Sequence, residues 1–186
     1  MRIGIIGICS LTIDFAFRAA KFGHQVLISH SRENSHLKDL IQKMGPKIKL
    51  VERNEAAKAE ILILFIPRED LQLFLNDLPD MTGKILIHAS NPVFSLECLG
   101  PNSKVKSSSE IIASLLPEAH VIKILNIANQ DMLSFLKQKE NKNEVYFTGT
   151  NSQAKNKAKA FLKTLELTGV DFEELYLPPI LTYSAN

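Results

Sequence analysis

The stretch Met1–Arg32, MRIGIIGICSLTIDFAFRAAKFGHQVLISHSR, constrains the fold more than any other part of the chain. Arg2 to Ile8 is a short apolar run that stops before polar Ser10. From there Leu11, Phe15, Ala19 and Phe22 recur at helical spacing and define one face of an amphipathic helix. Gly23 stands where a helix ends, and Gln25 to Ser29 resumes a β-type run. A strand that feeds a helix through a glycine turn and returns as a strand is the opening unit of a dinucleotide-binding sheet. Phosphate then belongs at the helix N-terminus.

The phosphate loop departs from the usual pattern. G-x-G-x-x-G asks for glycine at 7, 9 and 12, and the chain has Gly7, Cys9 and Thr12. Only the glycine of the tight turn remains. A side chain at Cys9 stands where backbone should approach pyrophosphate, and Thr12 is expected to widen the strand–helix contact. Gly7, Ile8, Cys9, Ser10, Leu11 and Thr12 are the candidate loop, with the Ser10 and Thr12 hydroxyls as substitute donors. The second strand ends in Ser29, His30, Ser31 and Arg32, with no acid before Glu33. An acidic residue there would hold the ribose hydroxyl of NAD; hydroxyls and a guanidinium fork suit the extra phosphate of NADP. His30, between two serines, is a second candidate for that contact.

Further along, strands and helices alternate. A helix is expected over 33–44, a short strand over 47–51 with Ile48 and Leu50 on one face, and a brief turn capped by Asn54. EILILFIP (60–67) reads as a strand buried on both faces, followed by a helix over 68–78. GKILIHAS (83–90) is the next strand. Ser107-x-x-Glu110 is a capping box opening a helix that Pro117 ends. Strands over 119–125, 144–149 and 170–177 alternate with helices over 129–138 and 152–167. The expected fold is α/β, one domain over 1–186 built on a doubly wound, mostly parallel sheet of Rossmann type.

Composition narrows the function classes. A formal net charge of +2 is too small to argue for nucleic acid or a membrane surface. The longest apolar run, Ile61 to Pro67, is far short of a membrane span, and the N-terminus reads as strand rather than signal peptide. Cys9 and Cys98 offer neither a disulfide framework nor metal-ligand spacing, so a cytoplasmic protein without a metal is expected. Cys98 has no nearby feature that would make it a nucleophile. Ligands of open parallel sheets bind beyond the carboxyl ends of the strands. That rule nominates five segments for one rim: 7–12, 29–32, 66–68, 89–92 and 126–128.

MRIGIIG, FGHQVLISHSR, HASNP, SSSEIIASLLPEAHVIKILN and YFTGTNSQAKNKAKAFLKTL follow in the order found in the deazaflavin-coenzyme-dependent NADP oxidoreductase family, which this chain resembles over nearly its whole length. The same domain is similar to the cytoplasmic part of the six-transmembrane metalloreductases. The resemblance implies a domain that binds NADP(H) and passes hydride to a flavin-like or small-molecule acceptor, working as a homodimer. It implies that Ile66, Pro67, Asn91 and Pro92 lie on the cofactor side, and Asn126 and Ala128 on the acceptor side. His88 falls where the family has an acidic residue; it is weighed as a proton donor to the acceptor against a buried or capping histidine. The rival reading is a degenerate Rossmann-fold binding or regulatory protein without catalysis. It draws on the lost glycines and on Asp14, a carboxylate expected in the first helical turn, where it would compete with phosphate.

Overall fold

The computed structural model describes residues 1–30, 35–89, 107–125 and 143–172. Among these residues eight strands form one sheet: β1 (Arg2–Ile6), β2 (Gln25–Ser29), β3 (Ile48–Leu50), β4 (Ile61–Leu64), β5 (Ile85–His88), β6 (His120–Leu125), β7 (Glu144–Gly149) and β8 (Thr168–Asp171). Their order is β3-β2-β1-β4-β5-β6-β7-β8. β1 through β6 are mutually parallel, β7 runs antiparallel to β6, and β8 follows β7 in parallel. The sheet is thus α/β and mostly parallel, as the alternating pattern predicts, with the last two strands reversed. Chain order turns around between β1 and β4, the switch point where such sheets open a crevice at their carboxyl ends.

Helices cover both faces. On one lie α1 (Ser10–Lys21), α2 (Ser35–Lys43) and α6 (Ser152–Thr164); on the other lie α3 (Arg53–Ala57), α4 (Leu71–Leu75) and α5 (Ser108–Leu115). The strand side chains divide largely by branching, with Ile6 and Val121 the β-branched exceptions on the face of α3, α4 and α5. Ile3, Ile5, Ile28, Ile48, Ile61, Ile63, Ile85, Ile87, Ile122 and Ile124 face α1, α2 and α6. Leu27, Leu62, Leu64 and Leu86 face α3, α4 and α5. Sheet and helix pack closely where Gly4 meets α3: a Cβ there would lie 2.1 Å from the Ala56 carbonyl oxygen.

Several local expectations shift. Helix α1 begins at Ser10, one residue early, which moves Asp14 out of the first turn. There it ion-pairs with Arg18 at 2.9 Å across one helical turn. Asn54 does not cap α3: Glu52 is the N-cap, its side chain accepts no cap bond, and Asn54 lies inside the helix. The helix expected over 68–78 is a 3₁₀ turn, Arg68–Asp70, followed by the five residues of α4. Pro79 disfavours helical backbone at Leu78, and the chain leaves the helix early. Leu71 and Leu75 are nonetheless buried, with Phe74 and Leu78 packed against them. On the edge strand β3, Ile48 is buried but Leu50 is 37% exposed, because no further strand lies beyond it. The capping box of α5 forms as expected: Glu110 N donates to Ser107 Oγ at 3.2 Å, and Ser107 N to the Glu110 carboxylate at 2.5 Å. The helix expected over 129–138 and the strand beyond 172 fall outside the described residues.

Candidate nucleotide-binding site

The site is built where β1, β2 and β4 end side by side. Gly7 follows β1 with φ +90°, a left-handed conformation that favours glycine. Its N–H donates to the Ser29 carbonyl at 3.0 Å, tying the turn to the end of β2. On its other side a Cβ would meet the Phe65 carbonyl oxygen at 1.8 Å, so no other residue fits without moving the end of β4. Phe65 N in turn donates to Ile6 O at 2.8 Å, and Ala89 N to Leu64 O at 2.8 Å. The four strand ends therefore share one hydrogen-bonded rim, on which segments 7–12, 29–30, 66–68 and 89 converge.

From this rim α1 starts. The N-cap Cys9 is extended, with φ −149° and ψ 176°. Its N–H donates to Thr12 Oγ1 at 2.9 Å. The Thr12 hydroxyl is itself 3.1 Å from Cys9 O and 3.3 Å from Gly7 O, with one proton to give between them. Thr12 is 1% exposed. Its hydroxyl is turned inward onto the loop, which corrects the expectation of a donor offered to phosphate. The amides of Ser10 and Leu11 have no partner among the described residues. No acidic residue occupies the first turn of α1, so the positive end of the helix dipole is uncontested. With Asp14 paired to Arg18 in the next turn, the rival's electrostatic argument falls away.

Ile8, Cys9 and Leu11 are half-buried beside this turn, and Ser10 is exposed. At the tip of β2, Ser29 is buried and His30 half-buried. The Nδ1 atom of His30 is buried with no hydrogen-bond partner among the described residues. Ile66 is buried and Pro67 exposed after β4. His88 closes β5 on the face of α3, α4 and α5, in register with Leu64 on one side and Lys123 on the other. It is 1% exposed, and burial, with a smaller push from the Lys123 ammonium, lowers its pKa to about 4. Its ring is neutral at ordinary pH. A cavity of about 440 Å³ opens between α5 and the β6–β7 pair, lined by Ser107, Ser109, Lys123 and Thr148 among others. Ser31, Arg32, Asn91, Pro92, Asn126, Ala128 and Cys98 lie outside the described residues.

Two contributors escaped the sequence reading, and so did the role of a third, Thr12. Phe65 offers only its backbone, which no side-chain pattern announces. Gly4 reads in sequence as one more apolar strand position. Thr12 had a signal, since a threonine three residues beyond an N-cap can return its hydroxyl to the cap amide, as glutamate does in a capping box. Among the described residues no group of three or more histidine, cysteine, aspartate or glutamate side chains could hold a metal. No helix of the described residues is long and apolar enough to cross a membrane.

Residues 2–92, just under half of the chain, match the model of the family described as NADP oxidoreductase, coenzyme F420-dependent. That bears out the family resemblance over those residues. Metalloreductase STEAP2 of Mus musculus and of Homo sapiens are each 26% identical over 177 residues, which is 94% of this chain and 34% of theirs. The chain spans about a third of the length of these curated relatives. Among solved structures, a hypothetical protein of Sinorhizobium meliloti aligns with a TM-score of 0.70 at 23% identity, over 92% of this chain and 84% of that one. A protein of Arthrobacter sp. FB24, titled as a candidate F420-dependent NADP-reductase, aligns with a TM-score of 0.69 at 23% identity, over 91% and 83%. Both have the same fold.

Proposed function

Taking residues 2–92 as the nucleotide-binding part of an oxidoreductase of the NADP, coenzyme F420-dependent family, we propose that the chain binds NADP(H) and passes hydride to or from a flavin-like or small-molecule acceptor. The observation that carries this reading is the start of α1: two amides at the carboxyl end of β1 with no partner among the described residues, and no acid in the first turn. Such a helix end attracts an anion without further help.

The residues present fit the cofactor. The Ser10 and Leu11 amides face the pyrophosphate, with Gly7 holding the turn. His30 brings a buried, unpartnered ring nitrogen to the end of β2, where the adenosine and its 2′-phosphate would lie. The SHSR sequence assigns Ser29, Ser31 and Arg32 to that subsite. The family resemblance assigns Ile66, Pro67, Asn91 and Pro92 to the cofactor side, and Asn126 and Ala128 to the acceptor side. Neutral His88 serves as interior packing beneath that rim rather than as an acid. When bound, the nicotinamide supplies the hydride, and no side-chain nucleophile is required. The protein's share is to fix the ring, exclude water and hold the phosphates. The reading includes a cytoplasmic homodimer.

Titration with NADPH, followed by nicotinamide fluorescence, tests the proposal. Saturable binding is expected, and Ser10→Asp, which sets a carboxylate at the first helical position, should weaken it at least tenfold. Absence of saturation in the unaltered protein would refute it.

A further inference from the structure

We propose that Thr12 is a positioning residue, a latch that takes over the loop-shaping task of the two missing glycines and confines pyrophosphate to the amides of Ser10 and Leu11. The inference rests on the cofactor reading above and specifies how that site is made. Three distances carry it. Thr12 Oγ1 accepts from Cys9 N at 2.9 Å, and lies 3.1 Å from Cys9 O and 3.3 Å from Gly7 O. One hydroxyl thereby grips the loop at both Gly7 and Cys9.

The consequences are chemical. In a loop with glycine at the second and third positions, close approach of ligand to backbone comes from missing side chains. Here Cys9 carries a side chain and its N–H is already spent on Thr12. The first donors left are Ser10 N and Leu11 N, so the anion sits at the helix end proper rather than over the turn. Thr12 can hold this arrangement because it is 1% exposed and cannot exchange the loop for water. Without it the Cys9 amide and the Gly7 carbonyl would lose the partner they have among the described residues, whereas Cys9 O also accepts from Ile13 N at 3.0 Å. A buried polar group left unpaired is costly, so the loop has one stable shape rather than several. Thr12 acts through the backbone and need not touch the cofactor.

The test compares Thr12→Val, which keeps the shape but removes the hydroxyl, with Thr12→Ser, which keeps the hydroxyl. Each is titrated with NADPH and with adenosine 2′-monophosphate, which lacks the pyrophosphate. Exchange of the Cys9 amide with solvent is followed by NMR, and thermal stability is recorded. Expected for Thr12→Val is NADPH binding weakened about tenfold, unchanged binding of adenosine 2′-monophosphate, and Cys9 exchange faster by about tenfold or more. Thr12→Ser should stay within about threefold of the natural protein on every count. Should Thr12→Val fail to fold, Thr12→Ala takes its place with the same expectations. Unchanged NADPH binding in the hydroxyl-free variant overturns the latch and leaves the cofactor reading standing. Equal loss of both ligands, together with lower thermal stability, also overturns it, because packing alone would then explain Thr12. A natural protein that binds adenosine 2′-monophosphate but not NADPH overturns it too, while one that binds neither overturns the cofactor reading itself.

Discussion

Acidification should destabilise this protein through His88, by an amount the structure permits us to work out. In the unfolded chain the imidazole titrates near 6.5; in the fold, burial and Lys123 lower it to about 4. The native state therefore binds the proton more weakly than the unfolded state. Stability from this residue is complete above pH 6.5 and is lost as pH falls toward the folded value. The gap between 6.5 and about 4 corresponds to about 3 kcal/mol in all, of which about 2 kcal/mol is lost by pH 5. His24 adds in the same direction, since burial also lowers its pKa. Urea unfolding followed by circular dichroism, at about pH 8, 6.5 and 5, gives the measurement. His88→Leu, apolar like its neighbour Leu64, removes the titration and should flatten the curve by on the order of 2 kcal/mol between pH 8 and 5. If the natural protein and the variant lose stability in parallel over that range, the imidazole is not the group responsible, and the argument from burial fails.

Other outcomes follow from the same structure. Gly7→Ala forces a Cβ onto the Phe65 carbonyl at a left-handed φ, and should cost more than about 3 kcal/mol in chemical denaturation while abolishing nucleotide binding. Lys155→Met removes the cation 2.9 Å from the Asp171 carboxylate, which is 1% exposed; about 3–5 kcal/mol of stability should be lost, whereas replacing both partners by apolar residues should recover most of it. NADPH should bind more tightly than NADH by about tenfold to a hundredfold, and Arg32→Ala should erase most of that preference; equal titration curves for the two cofactors would refute the SHSR reading.

The fold was legible because its signals are redundant. Strand β4 reads as continuous apolar sequence, α1 as helical periodicity, α5 as a capping box, and the three agree on a doubly wound sheet. What misled was local and depended on geometry at single residues. Asp14 reads as a first-turn carboxylate only if α1 starts at Leu11; starting at Ser10 moves it one residue further and into an ion pair. Leu71 to Leu78 has the spacing of a long helix, but spacing says nothing of how Pro79 cuts it short. Reversal of β7 leaves no mark in sequence, because antiparallel and parallel strands share the same side-chain alternation. The site was legible as a set of strand ends, yet its inner wiring was not. The Thr12 hydroxyl could equally have pointed outward to phosphate, and only the distances to Gly7 and Cys9 decide its direction.

The division of isoleucine and leucine between the two sheet faces bears on how the chain avoids misassembly. A one-residue slip of a half-exposed strand is punished at once, since it drives polar groups inward. A strand such as β4 is apolar on both sides, so polarity cannot oppose a slip. Shape can. Sliding β4 by one place would turn Ile61 and Ile63 toward α3, α4 and α5, and send Leu62 and Leu64 to the face of α1. Branching at Cβ fixes the first side-chain torsion, whereas leucine branches one carbon farther out and reaches deeper. Each helix layer would then meet side chains of the wrong outline, leaving voids at some positions and clashes at others. In the centre of this sheet it is the outline of the side chains, rather than their affinity for water, that tells one register from the next.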